Sequence, residues 1–438
     1  MSDMDMPGVK GFSVRSDRSS VREGSVEERF LEVRLEAAPC ETRAEREPVR
    51  ISFALDHSGS MAGRKLELAR SAVLAALGRL RPEDRFAITA FASRVSTLTE
   101  SVNATPTAIA SAQEQLAELE AYGSTALHGG WERACEELVP GAGARRLGRC
   151  LLITDGEANV GRRVPEDLAA EAGRMRRRGV ATSALGIGAQ FNEELLAAMA
   201  REGGGQFMHV PSVAALAEAL TQEIGDAQEV VATGVVIELW PSEGVKLTVL
   251  SDFPMRWAET HWRLEVGDLV GEQLMDVMLQ VRVPRGVVGG EASVEVRLSD
   301  AEGPLELPIQ RMCWSVVDAR TDATQARDME VVRRVAEMLV AAERLRNVRR
   351  NRSGGFEAIQ EGLATLAERL RRLGGDDPEV ARIIARMLRE GETLGQHLDE
   401  MSLKSMHMAS TSTTRGRDVT GRARKRAMLD GEEGSGGA

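Results

Sequence analysis

The sequence predicts a doubly wound, mostly parallel α/β domain, joined to an antiparallel β-sandwich and a C-terminal helical bundle. Three observations predict it. Between Val49 and about Gly225, runs that are apolar on both faces alternate with amphipathic stretches, the pattern of a parallel sheet covered by helices on each side. From 226 to 317 the apolar residues alternate with polar ones, with turn clusters and no helical interval between the runs. From 318 to 401 they recur every three or four residues.

Taken in order, residues 1–26 are polar and Ser/Arg-rich and read as a flexible N-terminal arm. Residues 27–48 hold a strand, in which Leu31, Val33 and Leu35 alternate with Glu32, Arg34 and Glu36, and a charged connector. That strand is expected to join the sandwich, which makes the α/β domain an insertion. In 49–225 the strand runs are VRISFALD, RFAITAFA, RCLLITD, VATSALGIG and QFMHV. Leu66, Ala69, Val73, Leu77 and Leu80 fall on one face of the helix after the first run. GAGARR at 141–146 reads as a connector and only superficially as a phosphate loop. Within 226–317, Val277, Leu279, Val281 and Val283 share one side of a strand, and PSEGV, PRGVVGG and DAEGP mark turns. Residues 318–401 divide at SGG and GGDDP into three helices. The Arg-rich run RLRNVRRNR reads as a solvated face. Residues 402–438 are Ser/Thr-rich, then basic, and read as a disordered tail. Thr411, Thr413 and Thr414 are its candidate modification positions, where a phosphate of about −1.5 to −2 charge would meet nearby arginines.

Composition narrows the function. The 438 residues carry 56 basic and 67 acidic groups, a net charge of −11, which argues against a general nucleic-acid-binding surface. Aromatics are 3%, too few for base-stacking platforms. The four cysteines have no C-x-x-C spacing and read as thiols in a reducing compartment. No apolar run approaches the ~18 residues of a membrane span, and the N-terminus has no signal-peptide pattern. The expected location is the cytoplasm. No His pair has zinc-motif spacing and no Walker-type loop occurs, so nucleotide hydrolysis is unsupported.

The chemistry concentrates where VRISFALD runs into DHSGSM. Ligands of α/β sheets sit beyond the carboxyl ends of strands, and there Asp56, Ser58 and Ser60 can converge on one point. Hard oxygen donors of low total charge suit Mg2+ or Mn2+. Three protein oxygens are too few alone for an ion that takes six. Two more segments supply candidates: LLITDG places Asp155 at the end of another buried strand, and YGSTALHGG places Thr125 in a small-residue loop ahead of a helix.

In these motifs the sequence resembles the von Willebrand factor A domain family, whose metal-ion-dependent adhesion site (MIDAS) is written D-x-S-x-S, then a Thr, then an Asp. DHSGS, GST and TDG match in that order, and GRKLELA, ALGIG and GGGQFMHV match lesser features; the resemblance covers about 49–225. It implies that Ser58, Ser60 and Thr125 bind the ion through hydroxyls, with Asp56 and Asp155 acting directly or through water. Two negative charges leave the ion electrophilic, so an acidic side chain of a partner protein can complete its shell. His57, at a variable motif position, and His128, three residues past Thr125, are candidates for a rim that touches the partner.

The resemblance implies a non-enzymatic, metal-dependent protein-binding adaptor of the bacterial intracellular type, working in a signalling, stress or defence system beside an ATPase, kinase, phosphatase or protease. A second class is a substrate or regulatory subunit of a partner kinase, protease or ATPase, acting through its tail. A third is a Mg2+-dependent phosphohydrolase with Asp56 as nucleophile; that chemistry wants a second carboxylate and a Lys or Arg for the phosphoryl group, where the motif offers serines.

Overall fold

The computed structural model of the chain describes residues 8–40, 46–139, 148–156, 158–300, 303–418 and 420–425. The first residues of the expected arm, the connector at 141–146 and the last part of the tail lie outside them. The chain forms two compact units, one of Cys40–Thr233 and one of Met1–Pro39 with Gly234–Ala438. The α/β unit is therefore inserted between the two parts of the other.

Three strands open the chain: β1 (Val9–Ser16), β2 (Ser20–Arg22) and β3 (Glu27–Ala37). The α/β unit follows as β4 (Arg50–Asp56), α1 (Arg64–Leu77), β5 (Arg85–Phe91), β6 (Val95–Asn103), α2 (Pro106–Ala117) and α3 (Leu127–Glu136). It continues with β7 (Gly148–Thr154), α4 (Pro165–Arg177), β8 (Val180–Ile187), α5 (Glu193–Glu202), β9 (Gly204–Val210) and α6 (Leu216–Gln228). Its sheet runs β6-β5-β4-β7-β8-β9 and is parallel except for β6.

The apolar runs are continuous because both faces of this sheet are covered. On one face Ile51, Phe53 and Leu55 pack with Leu66, Val73 and Leu77 of α1, Leu116 of α2 and Leu220 of α6. On the other, α3 comes so close to β5 that a Cβ on Gly130 would stand 2.3 Å from the Phe91 ring. Trp131 Nε1 of α3 donates to Thr182 Oγ1 of β8 at 3.0 Å. The start of the unit is pinned by a buried bidentate pair, Arg46 to Asp84 at 2.8 and 2.7 Å. Burial pushes the Asp84 carboxyl up, but Arg46 and the N–H groups of Arg81 and Val49 outweigh it and hold it below the usual carboxylate range.

β4 lies between β5 and β7. The chain moves outward from β4 to β5 and β6, then returns to β7 on the opposite side of β4. Strand order reverses there, and the crevice beyond the carboxyl ends of β4 and β7 is where such sheets bind ligands.

The other unit resumes with β10 (Val230–Pro241), β11 (Lys246–Val249), β12 (Met255–Ala258), β13 (His261–Val270), β14 (Leu274–Val283), β15 (Glu291–Asp300), β16 (Gly303–Pro304) and β17 (Gln310–Val317). Two sheets result, β1-β3-β14-β11 and β12-β13-β10-β15-β17-β2, with β16 paired to β15. The early strand does join the sandwich: in β3, Val33 faces Val14 of β1 on one side and Val277 of β14 on the other. Helices follow: α7 (Ala319–Thr324), α8 (Met329–Arg352), α9 (Phe356–Gly374), α10 (Pro378–Leu394) and α11 (Glu400–Thr414). Phe30 of β3 and Met278 of β14 share a core with Val331, Val335 and Leu339 of α8, Leu363 of α9 and Ile383 of α10.

Two expectations are corrected. The expected loose arm holds two strands, at Val9–Ser16 and Ser20–Arg22. Their charges are paired within the fold: Arg15 with Glu32 at 2.7 Å, and buried Asp17 with Arg327 while it accepts the Phe30 N–H at 2.8 Å. Of the expected disordered tail, residues 402–418 and 420–425 are ordered, and the bundle has a fourth long helix. Asp399 caps α11 by accepting the Ser402 N–H at 3.0 Å, and Leu403, His407 and Ser410 are buried. Beyond the helix, Leu274 N–H donates to Arg424 O at 2.9 Å, which ties the chain back to β14. The Arg-rich run is also less solvated than its composition implies, since Arg344 pairs with Glu390 at 2.6 Å and Arg352 with Glu400 at 2.8 Å.

Candidate metal centre

Three loops meet beyond β4 and β7. The first follows Asp56, whose two oxygens are both engaged: Oδ1 accepts the Ser58 N–H at 2.8 Å and Oδ2 accepts Thr154 Oγ1 at 2.6 Å. Asp56 is fully buried, and burial pushes its carboxyl above the usual range against the pull of those hydrogen bonds. The loop then carries Ser58 Oγ to 3.2 Å from Ser60 Oγ, and Ser60 Oγ donates to Asp155 Oδ1 at 2.6 Å. Four of the five expected ligands are therefore linked through Asp56, its own loop and the end of β7.

Thr125 arrives from the loop before α3. Its N–H donates to Asn159 Oδ1 at 2.6 Å, while its hydroxyl has no hydrogen-bond partner among the described residues. Gly156 shows how close the loops come: a Cβ there would lie 3.5 Å from Ser60 Oγ and 3.7 Å from Thr125 Oγ1. The loop is fixed against the first one through Gly59 N–H to Gly123 O at 3.1 Å and Tyr122 N–H to His57 O at 3.0 Å. Gly123 has φ +65°, and a Cβ there would come within 2.3 Å of Ser93 Oγ, so only glycine suits the turn.

The donor set is three hydroxyls and two carboxylates, with Asp56, Ser58, Thr125 and Asp155 buried and Ser60 exposed. Hard oxygens of this kind fit Mg2+ or Mn2+. A cation already favours the place: Lys65, in the first turn of α1, sets its ammonium on Asp155 Oδ2 at 2.5 Å and on Ser60 O at 3.1 Å.

Neither histidine faces the centre as a rim residue. His57 is buried, with Nδ1 2.7 Å from Glu120 O and its ring edge-on to Tyr122, 5.1 Å between centroids. Tyr122, against which it packs, is 44% exposed. His128 turns into the space between α3 and α4, with Nε2 3.0 Å from Glu171 Oε2. The candidate modification positions sit inside α11: Thr411 and Thr414 are buried, and the hydroxyls of Thr411, Thr413 and Thr414 donate to carbonyls four residues back at 3.1, 2.8 and 3.1 Å. At buried Thr411 and Thr414 a phosphate would have to displace the packed helix, whereas Thr413 is half-buried.

Sequence reasoning missed the contacts of Lys65, Thr154 and Asn159. Lys65 lay in a quoted motif, but its reach to Asp155 depends on how the first turn of α1 is placed. Thr154 is read only once β4 and β7 are known to be neighbours. Asn159, four residues past Asp155, gave no signal of its own.

Comparison with known proteins agrees with the fold. Residues 51–222 match the family model of the von Willebrand factor type A domain, and the α/β unit is a domain of that kind. The uncharacterized protein sll0103 of Synechocystis is 32% identical over 176 residues, 40% of this chain and 40% of that protein. The chain thus spans well under half of the curated relatives it matches first. Two solved structures share the fold over most of the chain. The von Willebrand factor type A protein from Catenulispora acidiphila has TM-score 0.68 at 19% identity, covering 87% of this chain and 90% of that one. The ArnB paralog VWA2 from Sulfolobus acidocaldarius has TM-score 0.62 at 16% identity, covering 93% and 98%. Domains of this family commonly mediate protein–protein interaction. No helix among the described residues is long and apolar enough to cross a membrane.

Proposed function

We propose that the von Willebrand factor type A domain makes this chain a metal-dependent protein-binding adaptor whose adhesion site captures an acidic residue of a partner protein. The observation that carries the reading is the convergence of Ser58 Oγ, Ser60 Oγ and Asp155 with the unpartnered Thr125 hydroxyl, around which three loops are locked by backbone hydrogen bonds. Bound Mg2+ would supply a Lewis-acidic position for a partner carboxylate. The protein's part is to hold the hydroxyls in place, to offer the ion Asp56 and Asp155 as the two carboxylates of the motif, and to leave Ser60 and Tyr122 exposed.

Binding is favoured over catalysis by the state of Asp56. Both its oxygens accept hydrogen bonds, from the Ser58 N–H and the Thr154 hydroxyl, and the side chain is fully buried, so it is held in place rather than presented to a substrate as a nucleophile. Lys65 does bring the cation that a phosphohydrolase would want, but it is aimed at Asp155 rather than at a substrate position beside Asp56. Our reading further assigns the chain to the cytoplasm of a bacterium, acting beside an ATPase, kinase, phosphatase or protease. The four cysteines, none of them disulfide-bonded, fit a reducing compartment.

The test is capture from native lysate by the full chain, with Mg2+ or with EDTA, using the wild type and Ser58→Ala/Ser60→Ala. A partner lost under both EDTA and the double substitution, while the variant keeps its unfolding midpoint, supports the reading. A partner kept under both sinks it.

A further inference from the structure

We infer that the α/β unit carries a second metal site, separate from the adhesion centre and of different chemistry, made by His128 and Glu132 of α3 and Glu171 of α4. It would take a divalent transition ion of the Zn2+ type. His128 and Glu132 are four residues apart and share one face of the helix. Glu171 reaches them from the neighbouring helix, and the three candidate ligand atoms lie within 4.8 Å of one another. His128 Nε2 and Glu171 Oε2 are 3.0 Å apart, close to the separation of two ligands on one small ion.

Two independent features mark the cluster as a site rather than a packed ion pair. Glu132 is half-buried, yet its carboxylate has no hydrogen bond or ion pair among the described residues, so one ligand stands ready. Glu171 is buried and draws cations: Arg162 lies 3.1 Å and Arg174 3.6 Å from the same Oε2 that meets His128. Burial pushes its carboxyl up, but His128, Arg174 and Arg162 outweigh this and hold it below the usual range, so it is ionised near neutrality. Both arginines are more than half exposed and can turn into solvent when an ion arrives.

One imidazole nitrogen and two carboxylates are the donors of an open zinc-type site, with the fourth position left to water. The imidazole separates this site from the first. Mg2+ prefers oxygen and binds His poorly, whereas Zn2+ accepts both. The chain would thus hold two ions of different class, a hard one on hydroxyls and a borderline one here.

The full chain carrying Ser58→Ala/Ser60→Ala is titrated with Zn2+ alone, in the presence of excess Mg2+, and with Co2+ to read ligand-field absorption. One Zn2+ equivalent that Mg2+ does not displace is expected. Its affinity should fall by about 10- to 100-fold or more in His128→Ala and in Glu132→Gln, with loss of the Co2+ band. Glu132→Gln changes an unpaired, half-exposed side chain and keeps the test independent of folding. No Zn2+ bound in the serine-to-alanine background, or Zn2+ bound equally in both variants, overturns the inference. That background weakens the adhesion centre, and His128→Ala and Glu132→Gln leave its remaining ligands Asp56, Thr125 and Asp155 untouched, so a loss of Zn2+ in those two variants is not a loss at the first site.

Discussion

Two segments of this chain are rich in hydroxyls and meet opposite fates. At the carboxyl ends of β4 and ahead of α3, Ser58, Ser60 and Thr125 sit in loops, and their oxygens face one another and Asp155. In α11, Ser410, Thr411, Thr413 and Thr414 sit in a helix, and each hydroxyl donates to its own backbone at a carbonyl four residues back. A helix offers every Ser or Thr such an acceptor. A loop at a strand end does not, so its hydroxyls stay available for an ion or a partner. The difference teaches that a run of hydroxyls signals function only once the backbone beneath it is known. ASTSTT looks like a modifiable tail; with the hydroxyls of Ser410, Thr411, Thr413 and Thr414 bonded to the helix's own carbonyls, Ser410, Thr411 and Thr414 are buried.

The largest expected effect would break this comparison outright. Thr414→Glu places a charge at a buried position, and an uncompensated buried charge costs about 3–5 kcal/mol. The urea midpoint should fall accordingly with the slope unchanged. Ser405→Glu, on the exposed side of the same helix, should shift it little. Equal, small shifts at both positions would return 402–425 to an exposed tail and reopen its modification.

Next in size is the metal linkage at the loops. At a Mg2+ concentration of about 100 Kd, the wild type should gain about 2.7 kcal/mol of stability. Ser58→Ala/Ser60→Ala should lose that gain while matching the wild type in EDTA, as read from urea midpoints at fixed ionic strength. The same Mg2+ gain in the variant would mean that the hydroxyls do not bind the ion.

A smaller effect sharpens the electrostatics of the loops. Lys65 sits 45% exposed on Asp155, so its ammonium competes with any ion that Asp155 would serve. Exposed pairs are worth on the order of 0–1 kcal/mol. Lys65→Met should therefore tighten Mg2+ binding several-fold in calorimetric titration. Weaker binding would show that Lys65 holds Asp155 in position rather than opposing the ion.

The same contrast explains what was legible in the sequence. The α/β order was readable because strands buried on both faces leave continuous apolar runs, and the ligands were readable because Asp56 and Asp155 end two of those runs. The strands at 9–22 were not, because what makes their polar residues fit lies far along the chain. Ser20 Oγ bonds Gln325 Oε1 at 2.8 Å and Asp17 pairs with Arg327, each across some three hundred residues. No local period carries that information. His57 failed for a related reason: its motif position predicts a loop, but its burial is set by Glu120 and Tyr122 of another loop.

The smallest expected effect is also the most direct probe, because one chemical edit can be made in both segments. Thr411→Val removes a hydroxyl whose acceptors, the carbonyls of His407 and Met408, lie within the helix's own hydrogen-bonded backbone. No buried group is orphaned, the side chain keeps its branched shape, and Thr and Val have similar helix propensity. Stability should change by less than about 0.5 kcal/mol, with Mg2+ affinity untouched. Thr125→Val removes a hydroxyl that has no hydrogen-bond partner among the described residues, so the metal-free chain should again keep its stability, while Mg2+ binding weakens. Measuring both variants by urea unfolding in EDTA and by Mg2+ titration separates a hydroxyl spent on its own helix from one held open for a ligand. Should Thr411→Val weaken Mg2+ binding, or Thr125→Val leave it unchanged, the distinction between the two segments fails.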